Sequence, residues 1–155
     1  MVKERISYGK VEGWLTDLPE WRSRLETLQA QMDHIPGLAQ RLELVNIHGK
    51  GQKNEAILNE VIRRLQVKEI EIPLLQAKIQ VLETAIRGLH ADEQQLVEYK
   101  YRMNLPTLTA AEKLNITLRS FYRLRRRTLE HLYRIAGGKD SILGLKDDLL
   151  DSEAT

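Results

Sequence analysis

The spacing of apolar positions predicts helices along most of the chain. Leu18, Trp21, Leu25, Leu28, Met32 and Ile35 follow one another in steps of three and four, a heptad seam that predicts a helix over Asp17–Ile35. Asp17 and Glu20 fit a capping box there, and Pro19 fits a first turn. Pro36-Gly37 stops it. A short helix is expected over Leu38–Ile47, then a glycine-bearing loop over His48–Asn54. A second long seam reads Leu58, Val61, Leu65, Lys68, Ile72, Leu75, Ile79, Leu82, Ile86, Leu89, apolar at nine of ten positions, and predicts a helix from about Glu55 to Arg87. Pro73 removes one hydrogen bond of that helix, so a kink or break is expected near Val67–Pro73.

Shorter helices are expected over Ala91–Arg102, Thr109–Leu114 and Thr117–Ala136, with Gly137-Gly138 ending the last. In the segment Thr107–Arg126, Thr109 and Glu112 suit a capping box, Ala110 and Leu114 face inward, and the small Ala111 allows a close helix crossing. Asn115 stands where a turn needs a left-handed residue, Ile116 is placed to bury, and Thr117 offers an N-cap oxygen. On the following helix Phe121, Leu124, Leu132 and Ile135 fall on one side, with Leu118 on its flank. Arg119, Arg123 and Arg126 lie opposite, beside Tyr122. This is the pattern of a helix-turn-helix with an arginine-lined second helix.

The fold class is therefore all-α: long N-terminal amphipathic helices over 1–88, forming a hairpin or a coiled coil, then a trihelical helix-turn-helix module over 89–136 and a loosely ordered acidic tail over 137–155. The seams can pair within one chain or between two, and the reading leans towards a homodimer.

Charge sharpens the picture. The chain carries a formal net charge of +2, yet residues 97–136 hold nine Lys/Arg against three Glu, which is +6 and leaves −4 for the rest. A basic block on a near-neutral chain points to a local polyanion site. Arginine forks pair bidentately with guanine edges or phosphates. Docking geometry then places Thr117, Arg119, Ser120, Tyr122, Arg123 and Arg126 towards the major groove of double-stranded DNA, with Arg127, Lys113, Lys100 and Arg102 towards phosphates.

Other chemistry is not evident. Cysteine is absent, which removes disulfides and thiolate ligands. His34, His48, His90 and His131 show no ligand-like spacing, so no metal or cofactor is expected. The segments Gly49–Gly51 and Gly137–Lys139 lack the spacing of a phosphate loop. Glu20, Glu55 and Glu60 read as solvated charges, Tyr99 and Tyr101 as packing between helices. No nucleophile–base pair stands out, so an enzyme is not expected. No apolar run approaches a membrane span and no leader is visible, which predicts a soluble cytoplasmic protein.

The segment Leu89–Arg102, followed by the helix-turn-helix and Ser120–Leu129, resembles region 4 of sigma-70-type factors, and more narrowly the small phage regulators of the RinA and ArpU type. The resemblance covers roughly Leu58–Ile135. It implies promoter binding in phage late, packaging or lysis gene control, contact with RNA polymerase, and DNA-facing roles for Arg119, Ser120, Tyr122 and Arg123. Asn115 departs from the glycine common at such turns. Two rivals remain: a small terminase subunit recognising a packaging site, and a helical interaction protein that binds no DNA.

Overall fold

The computed structural model describes residues 6–34 and 52–145. The short helix expected over Leu38–Ile47 lies outside them. The described chain is all-α, with α1 at Tyr8–His34, α2 at Gln52–Arg87, α3 at Ala91–Val97, α4 at Thr107–Leu114 and α5 at Leu118–Ile135. A π-helical turn, Glu98–Arg102, follows α3, and two 3₁₀ turns, Gly138–Asp140 and Ile142–Gly144, follow α5.

The two long helices differ from the sequence reading. The first helix begins at Tyr8, nine residues before the predicted cap, and runs through Pro19. Val11, Trp14, Leu15 and Leu18 are all buried at i, i+3, i+4 and i+7. That stripe rewards helix over Tyr8–Leu18 by more than the one hydrogen bond Pro19 removes, so the capping box at Asp17 does not arise. Likewise α2 passes through Pro73 without a break. Apolar seam residues bury on both sides of that proline, Leu65 before it and Leu75, Ile79 and Leu82 after it.

The chain forms two compact units. The larger gathers the described residues up to Glu20 with Lys78–Leu145; the other holds those of Trp21–Ala77. The sequence reading placed a boundary at Gly88, yet residues on either side of Gly88 share the larger unit. In the smaller unit the two seams meet within the chain, antiparallel. Arg24 of α1 donates to the buried Glu71 of α2 at 3.4 Å, and Lys68 of α2 donates to Gln31 of α1 at 3.0 Å. Trp21, Leu28, Ile62 and Leu65 are buried there.

The larger unit carries α3, α4 and α5 around Leu96, Ala110, Ala111 and Phe121, with Leu105, Leu114, Ile116 and Leu124 packed against them. The start of α1 belongs to the same unit: Trp14 stacks on Tyr133 of α5, ring centroids 6.2 Å apart and planes 8° from parallel. Residues 138–145, expected to be loose, are held. Gly137 and Gly138 take positive φ of 110° and 66° to reverse the chain. Leu143 is then buried, and the Lys78 ammonium donates to the Leu145 carbonyl. An apolar anchor and a satisfied backbone acceptor order this stretch. Residues 146–155 lie outside the described part.

Candidate nucleic-acid interface

The turn between α4 and α5 follows from local chemistry. Asn115 sits in the left-handed region at φ 62°, ψ 39°, and its N–H with that of Ile116 closes the end of α4 on Glu112 and Ala111. Two residues later Thr117 Oγ1 accepts from the Ser120 N–H at 3.1 Å and starts α5. The two buried alanines, Ala110 and Ala111, let α5 cross α4 closely, with Phe121 filling the angle. The start of α4 differs from expectation. Pro106 is its N-cap and Thr107 its first residue, so no capping box forms between Thr109 and Glu112. Proline fixes φ where a helix must begin and removes an N–H that would lack a partner there anyway.

Helix α5 has two faces. Phe121, Thr128, Leu129, Leu132 and Tyr133 are buried. Leu118 and Ile135, placed by periodicity on this side, are instead 42% and 39% exposed. The opposite stripe, Arg119, Tyr122, Arg123, Arg126, Arg127 and Glu130, lines one shallow groove. Positions separated by three, four, seven, eight and eleven share a helix face, so this arrangement is helical geometry made visible. Tyr122 is 55% exposed, its ring edge-on to Phe121 beneath it at 6.0 Å.

The cations differ in what holds them. Arg119, Arg123 and Lys113 are exposed and make no hydrogen bond or ion pair among the described residues. Arg126 is exposed, shares a second recess with Tyr8, Tyr122 and Arg125, and its charge acts on the Tyr8 hydroxyl. Tyr8 itself donates to Glu130 at 2.6 Å, and that hydrogen bond is the main reason its pKa is raised. Three of the four residues assigned to phosphates have partners inside the protein. Arg102 pairs with Glu98 at 3.1 Å, Lys100 donates to the Leu105 carbonyl at 3.4 Å, and Arg127 is bonded to Asp92. Burial alone would raise the Asp92 carboxyl, but the Arg127 guanidinium and backbone donors take it below the ordinary value. Thr117 and Ser120 are exposed at the start of α5, their hydroxyls bonded to each other at 3.1 Å.

Several residues of this unit escaped the sequence reading. Arg125, one of the basic run, turns away from the groove and bonds to Glu12 of α1. Glu12 also accepts from Tyr101, whose hydroxyl burial pushes up to about 12. His131, read as a surface residue, lies with His90 against the fully buried Glu93. Among the described residues no helix is long and apolar enough to cross a membrane.

Compared with protein-family models, curated proteins and solved structures, the chain matches none of them.

Proposed function

We propose that the protein binds double-stranded DNA through the exposed stripe of α5, as a sequence-specific transcription regulator of the phage type that the Leu89–Leu129 segment resembles. One observation carries this reading. Helix α5 is anchored on one face by Phe121, Leu129 and Leu132 while its other face presents Arg119 and Arg123, which have no partner among the described residues, next to an exposed tyrosine. A helix that needed only solubility would pair such arginines with nearby acids, as this protein does for Arg63, Arg64 and Arg102. Arginines left unpaired on a rigid helix are suited to base edges and phosphates.

In this reading Arg119 and Arg123 reach bases or phosphates from the first half of α5, Ser120 and Thr117 meet the backbone at its start, and Lys113 supports them from α4. Arg127, Arg102 and Lys100 contribute only where a phosphate displaces their present partners. Promoter control and contact with RNA polymerase rest on the resemblance alone.

Selection from a random duplex pool tests the proposal: it expects one enriched site, and an unenriched pool refutes sequence-specific recognition. Mass in solution separates the rivals, since a ring of many chains fits a small terminase subunit and a dimer fits a regulator.

A further inference from the structure

We propose that His90, Glu93 and His131 form a site for a divalent first-row transition metal of the zinc type, joining the start of α3 to α5. This inference is independent of the DNA reading. One donor atom from each residue lies within 4.8 Å of the other two. His131 Nδ1 is 2.9 Å from Glu93 Oε1, and His90 Nε2 is 4.0 Å from that oxygen. The two imidazole rings stand 5.1 Å apart, tilted by 31°. His90 and Glu93 are three residues apart at a helix start, so they share a face, and His131 reaches them from α5.

Glu93 supplies the pointer to a ligand. It is fully buried, and its Oε2 has no hydrogen-bond partner among the described residues. Capping explains only the other oxygen, which accepts the His90 N–H at 3.0 Å. A buried carboxylate oxygen without a donor is costly and calls for a cation. Arg127 meets that need only at long range: its Nε forms an ion pair at 3.8 Å, beyond hydrogen-bond distance, and its guanidinium is bonded to Asp92. Two imidazoles and one carboxylate are a recurrent zinc donor set, with a fourth position left for water. Bonds of about 2.0–2.1 Å put tetrahedral ligands roughly 3.4 Å apart. To meet that, His90 closes in from 4.0 Å, with a side chain that is 73% exposed and can turn, and the His131–Glu93 pair opens from 2.9 Å. On binding, His131 gives its Nδ1 lone pair to the metal and carries its proton on Nε2; the hydrogen bond to Glu93 is exchanged for metal–ligand bonds. Hard cations favour all-oxygen sites, so Mg²⁺ and Ca²⁺ should not compete.

The test uses the full chain, stripped with a chelator and titrated with zinc chloride by calorimetry, with thermal melts alongside. The expectation is one Zn²⁺ per chain at micromolar affinity, a Tm that rises with zinc, and no response to Mg²⁺. His90→Ala, at an exposed ring that should leave the helix content unchanged, is expected to weaken binding at least tenfold and remove the Tm rise. His131→Gln should do the same. No zinc binding at millimolar concentration overturns the proposal, as does equal affinity for Mg²⁺ or undiminished zinc binding by His90→Ala. If His131→Gln fails to fold, the His90 variant alone decides.

Discussion

Phe121 and Tyr122 are chain neighbours with opposite surroundings, and replacing each by alanine separates packing from recognition. Phe121 is completely buried at the meeting point of α3, α4 and α5, against Leu96, Ala110 and Ala111. An aromatic ring in such a place buries about 150 Å² or more, which at about 25 cal/mol per Å² gives roughly 4 kcal/mol. Large-to-small core changes of this kind cost about 3–5 kcal/mol. Against a total stability of about 5–15 kcal/mol, Phe121→Ala leaves the unit marginal. For a chain of this size the melting temperature should fall by about 10 °C. Tyr122 is 55% exposed and meets Phe121 edge-on, so Tyr122→Ala should cost about 1 kcal/mol or less. Urea unfolding followed by circular dichroism and by tryptophan fluorescence measures both. Equal losses for the two variants, or a loss below about 1 kcal/mol for Phe121→Ala, would refute the placement of the α5 core face.

Three further outcomes are expected. Asn115→Val forces a β-branched residue into φ 62°, and should destabilise by about 1–2 kcal/mol in thermal melts, whereas Asn115→Gly should be tolerated. The Tyr101 hydroxyl, raised to about 12 by burial, is neutral in the folded state where the unfolded chain has already ionised. Its contribution to stability is therefore intact below about pH 10 and lost as pH rises towards 12, and Tyr101→Phe should remove that fall together with the last step of an absorbance titration at 295 nm. Glu60, held at about 2 by hydrogen bonds from Arg63 and then Arg64, should return towards the ordinary carboxylate range in Arg63→Ala, read by NMR titration of its side chain.

Local signals were the legible ones. Asn115 as a left-handed turn residue, Thr117 as a cap and the opposed faces of α5 are each fixed within a few residues, so periodicity and turn chemistry identify them. The start of α1 was not legible because Asp17-Leu18-Pro19-Glu20 imitates a helix N-terminus, while what extends the helix back to Tyr8 is tertiary burial of Val11, Trp14 and Leu15. The engagement of Arg125 by Glu12, of Arg127 by Asp92 and of His131 by Glu93 joins residues 113, 35 and 38 positions apart. No spacing rule reaches across helices in that way, so a basic run read as uniform resolves into cations already engaged and cations left open.

The open ones are where the account is most exposed to test. Binding of the full chain to its selected duplex, measured as a function of salt, should weaken steeply, with log K falling by about 3–4 per decade of salt if roughly four phosphates are neutralised. Arg123→Ala should cost about 1–3 kcal/mol on that duplex and little on unrelated sequence if the residue reads a base. Arg119→Ala with Arg123→Ala should abolish binding while leaving the fold unchanged. No binding at low salt, or full affinity in the double variant, contradicts the assignment of α5 as a DNA-reading surface.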